Sequence, residues 1–381
     1  MSDQTSERHD LEMTLPQSTQ AQTVLKALTT LQERFRDGLN NLSLHWGDQK
    51  QLVRSSWLRD QGQHGGGWRW GGVDEGILNR GSLNISSVHY DDLPEKRLSS
   101  ATALSCIVHP QNPVAPSLHT HISWTEMRNP KEGNGQKLGG WRFMADLNPS
   151  TLFEEDRSFF IEQIDQSLNS LPAEWLNYAK AQGDRYFWIP SLERHRGVAH
   201  YYLEQWQGES AEKDLELALT FGKTVIDSYL QILARAFEQK EKRVEANFEN
   251  QIAYHSAYFL QVLTLDRGTS SGLLVHQQND EGIMGSLPQR VSTKLLRSWV
   301  TRLPKPQDQL LEALIDCLSK QSLGEQAISE IDSTTRIKLA QIVREHYQKH
   351  PEALALQARG DVLPPTVANH SSESSETVNL G

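Results

Sequence analysis

Two histidines, His109 and His119, stand at the mouths of a turn that carries Pro110, Pro113 and Pro116. Proline fixes its backbone and cannot donate to a sheet ladder, so a rigid turn separates the run Ser105-Cys106-Ile107-Val108 from a second strand headed by His119. Imidazole is the side chain best suited to moving protons near neutral pH, and Ser105 adds a hydroxyl within reach. Alternate residues of a strand share a face, so His119, His121 and Ser123 are predicted to look one way and Thr120, Ile122 and Trp124 the other. A divalent metal is a second use for His109, His119 and His121, with H-x-H on one strand and His109 across the turn. No Asp or Glu lies at an obvious ligand spacing, and histidines beside a site are more often hydrogen-bonded to backbone or substrate than metallated.

The elements that must position these groups follow from hydrophobic period. Met1 to Gln20 is polar and acid-bearing, read as disordered rather than as a signal or transit peptide. A helix is expected from Ala21 to Leu42, with Val24, Leu28, Leu31 and Phe35 on one face. The stretch His64-Gly-Gly-Gly-Trp68-Arg-Trp-Gly-Gly72 lacks phosphate-loop spacing and is read as a close-approach loop. Strands are predicted at Gly76–His89, Thr102–Val108, His119–Thr125, Gly139–Leu147 and Tyr258–Leu265. Helices are predicted from Leu152 to Ala181, with Glu154, Glu155 and Asp156 at an N-terminus, and from Glu212 to Phe248. Beyond Val300 the chain turns helical again, around Leu310, Leu311, Leu314, Ile315 and Leu318 and then Ile337, Leu339, Ile342 and Val343, and it ends in a polar tail. The expected division is a disordered 1–20, a main domain 21–300, a helical extension 301–360 and a disordered 361–381. Strand blocks between helical blocks predict an α+β fold, a large antiparallel sheet sandwiched between helices with an extra C-terminal helical segment.

Composition narrows the function. The 381 residues can bury a substantial core, and a net charge of −10 argues against nucleic acid or an anionic membrane as partner. No apolar run approaches the ~20 residues of a bilayer span, and a cytoplasmic location is expected. The two cysteines, Cys106 and Cys317, make no ligand pattern and read as core residues. Trp68, Trp70 and Trp141 read as core or pocket wall, His195 as exposed, Glu204 as either helix surface or site, and Asp266-Arg267 as an ion pair fixing a turn.

Six segments in order resemble one family, the oxygen-dependent coproporphyrinogen III oxidases. They are the glycine-opened strand Gly76 to His89 with its Asn84-x-Ser86, the Ser105 to His119 segment, Asp146-Leu-Asn-Pro149, Tyr186-Phe187, Arg196-Gly197, and Leu265-Asp-Arg-Gly-Thr269 leading to Ser286-Leu-Pro288. The resemblance runs from about His64 to Trp299. It implies a helix-covered antiparallel sheet, usually a homodimer, and an oxygen-dependent oxidative decarboxylation of tetrapyrrole propionates to vinyl groups, with oxygen as co-substrate and no required cofactor. It also implies that Ser105 contacts substrate, that His119 is the acid/base residue with His109 beside it, and that His121, Ser123, Arg142, Asp266 and Arg267 line the substrate site.

The departures from the family pattern share a direction. The family's H-x-N-x-R reads His119-x-His121-x-Ser123, its R-R-G-R reads Tyr254-His255-Ser256-Ala257, and its later G-G-R falls within His276–Asn279. Three carboxylate-binding arginines are thereby lost. Glycines in the floor become Arg142-Phe143-Met144, and the acid acting on the pyrrole N–H is at best Glu204. A small-molecule aromatic substrate and oxygen are therefore expected, the substrate an electron-rich pyrrole or indole with fewer carboxylates. The alternatives are coproporphyrinogen III itself, in haem biosynthesis, and a non-catalytic paralogue that binds a tetrapyrrole or a protein.

Overall fold

The computed structural model describes residues 13–128, 137–239, 244–319 and 327–358. In chain order these form α1 (Thr19–Trp46), β1 (Val53–Leu58), β2 (Gly65–Asp74), β3 (Leu78–His89), β4 (Leu98–Pro110), β5 (Ser117–Arg128), β6 (Lys137–Asn148), α2 (Glu154–Ser167) and α3 (Ala173–Tyr186). There follow the short β7 (Trp188–Ile189) and β8 (Arg194–His195), then β9 (Ala199–Trp206), α4 (Ala211–Glu238), α5 (Glu245–Thr264), α6 (Arg267–Val275) and α7 (Asp280–Met284). The chain closes with β10 (Arg290–Ser292), α8 (Thr293–Trp299), α9 (Gln307–Ser319), β11 (Ile328–Glu330) and α10 (Ser333–Lys349).

One antiparallel sheet in the order β1-β2-β3-β4-β5-β6-β9 organises everything else. Strict alternation gives it two unlike faces. Leu83, Ile85, Leu104, Cys106, Leu118, Ile122, Trp141, Phe143, Tyr201 and Leu203 point one way, into a core closed by α1, α2 and α4. The apolar stripe of α1, Val24, Leu28, Leu31, Phe35 and Leu39, meets them there. Full burial of such side chains contributes about 1.5–3 kcal/mol each. The residues between them carry the polar side chains, and α5, α6 and α7 cover that second face.

A second core lies behind the covering helices. Tyr258, Phe259, Leu260, Leu263 and Leu273 pack there with Leu296, Leu310, Leu311, Leu314, Leu339 and Val343. Residues 301–360, expected as a helical extension, thus supply part of the packing that backs α5 and α6. Arg344 of α10 donates to Leu273 O (2.9 Å) and pairs with Asp280, and Ala358 N donates to Leu265 O (2.8 Å). At the other end, Thr14 bonds Gly62 and Gln63 and Ser18 caps α1, while residues 1–12 and the 361–381 tail lie outside the described residues.

Three sequence expectations are corrected. Tyr258–Leu265 is the last part of α5 and not a strand: its continuous apolar run reflects a helix buried between the sheet and the second core, a case that period alone does not decide. The glycine- and tryptophan-rich stretch is β2 and not a loop. The helix expected over Glu212–Phe248 is two, α4 ending at Glu238 and α5 starting at Glu245, whereas the helices expected from Leu152 to Ala181 are α2 and α3, with Pro172 before the second. β1 and β9 went unread. The close approach expected of the glycines does hold, since a Cβ on Gly67 would run into Ile85 O and lie 2.9 Å from Trp57 Nε1.

Gly67→Ala should accordingly destabilise the fold by about 1–3 kcal/mol. The check is the urea midpoint of the purified variant, and an unchanged midpoint would contradict the packing of β2 between its neighbours.

Candidate active site

The polar face of the sheet is built in register. Arg69 pairs with Asn84, Asn84 with Ser105, Ser105 with His121, His121 with Met144 and Met144 with Tyr202, giving one row across six strands. The neighbouring row runs Ser82, Ile107, His119, Asp146, His200, and the row on the other side runs Ser86, Ala103, Ser123, Arg142. These rows are the floor of a cleft whose roof is α5, α6 and α7, through Tyr258, Val262, Asp266, Gly268, Asn279 and Ile283. The cleft has two adjoining lobes of about 200 and 250 Å³, which share Asn84, Ser105, His121, Arg142, Tyr186 and Tyr202.

His119 is held from behind. Asp146, fully buried, pairs with Arg196 at 3.0 Å to Nε and 2.5 Å to Nη2, and Arg196 Nη2 lies 2.9 Å from His119 Nδ1. Guanidinium can only donate, so Nδ1 accepts and the ring proton sits on Nε2. Burial and then the Arg196 charge hold the His119 pKa well below its usual value. His119 therefore presents a neutral N–H donor on its cleft side. Gly197, at φ +76°, lets the backbone pass Asp146: a Cβ there would strike the carboxylate.

His121, two residues on, shares the wall. Burial, with the Arg142 charge behind it, pushes its pKa down to about 3, so it is a neutral imidazole with a free lone pair. On the α3–β9 side the stacked rings of Tyr186 and Tyr202, 4.8 Å apart, are fixed by carboxylates. Tyr186 donates to Asp266 (2.7 Å), whose other oxygen caps α6 at Thr269 N (2.7 Å). Tyr202 donates to Glu204, which also pairs with Arg142 (2.5 Å).

The cleft thus brings together Ser105, His119, His121, Arg142 and Asp266, with Arg267 in the second lobe. It does not bring in three of the residues expected from the sequence. His109 is buried, its Nδ1 taking a bond from Ser117 Oγ (2.9 Å) within the sheet and its Nε2 donating to Ser286 O (3.1 Å), so both nitrogens are occupied and the second ties the Ser286 turn to the sheet. Glu204 lies behind Arg142, and Ser123 is buried in the floor beneath it. Asp266 and Arg267 do not pair with each other: the acid is the N-cap of α6 and holds Tyr186.

The metal expectation for His109, His119 and His121 does not fit these partners. His109 and His119 have spent their lone pairs on Ser117 and Arg196, and among the described residues no three His, Cys, Asp or Glu side chains are grouped to hold an ion. Sequence reading missed Arg196, Asp146, Tyr186 and Tyr202 as parts of the site, although the first three lie within quoted motifs. The omitted signal was that the Arg196-Gly197 turn leads straight into β9, which pairs with the β6 strand that carries Asp146.

The comparisons with known proteins fall on the same residues. The family model described as coproporphyrinogen III oxidase matches residues 23–314. An oxygen-dependent coproporphyrinogen-III oxidase of Prochlorococcus marinus is 27% identical over 308 residues, covering 71% of this chain and 84% of that protein. Among the described residues no helix is long and apolar enough to cross a membrane.

Two outcomes follow from the buried charges. Arg196→Gln leaves Asp146 unpaired in the interior and should cost about 3–5 kcal/mol of stability, read by thermal or urea unfolding. His255, buried in α5, has a pKa lowered by burial to about 3. Its contribution is complete above the unfolded value near 6.5 and is lost as pH falls toward about 3, because the unfolded chain takes the proton first. Stability should fall with acid in that window by up to about 1.4 kcal/mol per pH unit from this residue, and His255→Phe, if folded, should flatten the slope.

Proposed function

Because the chain belongs to the coproporphyrinogen III oxidase family, we propose that it catalyses the oxygen-dependent oxidation of an electron-rich pyrrole- or indole-type ring that carries carboxylates, in a cleft cut for a smaller molecule than the tetra-carboxylate macrocycle. The observation that carries this reading is the neutral histidine pair, a donor at His119 and an acceptor at His121, alternate residues of one strand facing one cleft. An electron-rich ring needs little more than orientation, a base on its N–H and a donor for the oxygen it reduces. His121 accepts the ring N–H, which raises the ring's electron density. His119 Nε2–H donates to the reduced oxygen as its negative charge develops. Where the oxidised arm is a propionate, loss of CO2 and two electrons leaves a vinyl group, and oxygen takes the two electrons and two protons to become hydrogen peroxide.

Size supports the smaller substrate. Lobes of about 200 and 250 Å³ lie at the lower end of small-molecule pockets, and Met144 and Arg142 stand in the floor. Coproporphyrinogen III itself is the second reading, and the family match over residues 23–314 favours it.

The test is an aerobic assay that follows oxygen uptake and product mass, with anaerobically prepared coproporphyrinogen III and with single-ring pyrrole and indole propionates. Uptake on a single ring, lost in His119→Ala by roughly 100-fold or more as for a removed catalytic donor, is the expected result. Turnover of coproporphyrinogen III at about 1 per second or faster would falsify the smaller-substrate reading, and uptake on none of them would remove the enzymatic one. In the pH profile, kcat/KM should show no acid-side inflexion near 6.5, because His121 stays unprotonated until the pH approaches about 3. An inflexion at 6–7 that disappears in His121→Gln would contradict the role given to its lone pair.

A further inference from the structure

Beside the β2–β3 edge of the cleft stand three guanidiniums that this chemistry does not use. Arg69 stands on the floor face of β2 beside Asn84 and reaches the roof, since a Cβ added to Gly282 of α7 would lie 2.7 Å from its Nη1. Gly282 and Asn84 both line the first lobe. The Arg69 guanidinium has no hydrogen bond to another described residue. Arg80, on the same face of β3, donates to Leu287 O (3.2 Å) and Ile331 O (3.3 Å). Arg336 comes from α10 and lies 3.5 Å from Glu281, and its Nε is buried with no partner.

The acids near this group do not neutralise it. Glu281 is largely exposed, and Asp332 is occupied as the N-cap of α10. Burial first, and then the charges of Arg336 and Arg69, bring the Arg80 pKa down to about 10. The two arginines that line the first lobe are already matched, Arg142 by Glu204 and Arg196 by Asp146. An anion at the Asn84–Gly282 edge of the first lobe has the Arg69 charge next to it.

We propose that Arg69, Arg80 and Arg336 form an anion subsite at the β2–β3 end of the cleft, which takes a carboxylate of the substrate and sets the direction in which the ring lies toward His119 and His121. The proposal rests on the reading of the cleft as the site of a carboxylate-bearing ring. Arg69 supplies the free fork, Arg80 the fixed charge behind it, and Arg336 a buried N–H with no other use. Arg336 lies beyond residue 314, where the family match ends, so this subsite is partly built from the segment that the family pattern does not cover.

The full chain is tested with citrate as a carboxylate probe, against sodium chloride at equal ionic strength. Citrate should raise the melting temperature of the wild type, and Arg69→Gln and Arg336→Gln should each lose most of that shift. Arg69→Lys, which keeps the charge and loses the fork, serves if Arg69→Gln does not fold, and it should keep less than half of the shift. With any substrate turned over in the aerobic assay, Arg69→Gln should raise KM by ~10- to 100-fold while kcat changes less than twofold. Absence of a citrate shift in the wild type, an equal shift in the variants, or an unchanged KM would overturn the subsite. If no pyrrole or indole is oxidised, the citrate shift alone decides: a shift that needs Arg69 keeps the subsite and discards the enzymatic reading, whereas turnover with unchanged KM does the reverse.

Discussion

Asp146 is a carboxylate with no access to water, and nearly everything in the cleft answers to it. An unpaired charge at that depth would be prohibitive, so Arg196 must lie against it. Arg196 in turn gives its other Nη2 hydrogen to His119, and that bond decides which ring nitrogen carries the proton. The same constraint requires glycine at 197 and brings His200 to within 3.7 Å of the other carboxylate oxygen. His200 is then tied to Arg196 O and to Asp184 on α3. A chain of obligations thus runs from one buried acid through β5, β6 and β9 to a helix outside the sheet.

The two faces of the sheet divide the labour that this arrangement demands. The apolar face rigidifies the strands by ordinary packing against α1, α2 and α4, and it carries no chemistry. The polar face is not solvated either, since α5, α6 and α7 cover it, so its groups must satisfy one another or face the cleft. Most do the first: His109 with Ser117 and Ser286, Arg142 with Glu204, Tyr186 with Asp266. Groups left over, among them His121, the Nε2–H of His119, Arg267 and Arg69, have capacity for a ligand.

How much of this was legible depends on the period of each segment. The alternation of β5 was read correctly, and with it the shared face of His119, His121 and Ser123, because Leu118, Ile122 and Trp124 alternate with polar residues there. Gly65–Asp74 was not read as a strand because glycines carry no hydrophobic signal. Reading it as one would have placed Arg69 on the face of Asn84 and Ser105, and the arginines would have been found in the sequence. Tyr258–Leu265 failed for the opposite reason, a helix apolar all round. The role expected of His109 could not be tested on spacing alone, since only the arrival of Ser286 from far along the chain shows that its nitrogens are taken.

That distance matters in time as well as in space. The strands β3 to β6 pair with their neighbours in sequence, whereas the bonds that set the roof on the floor join residues 177, 207 and 251 positions apart. Closing loops of that length costs entropy that only the finished contacts return. Assembly is therefore ordered: a sheet with its first layer of helices can form early, while the cleft exists only once the C-terminal third of the chain has arrived. On the ribosome the floor waits, polar and uncovered, until the last helices are made.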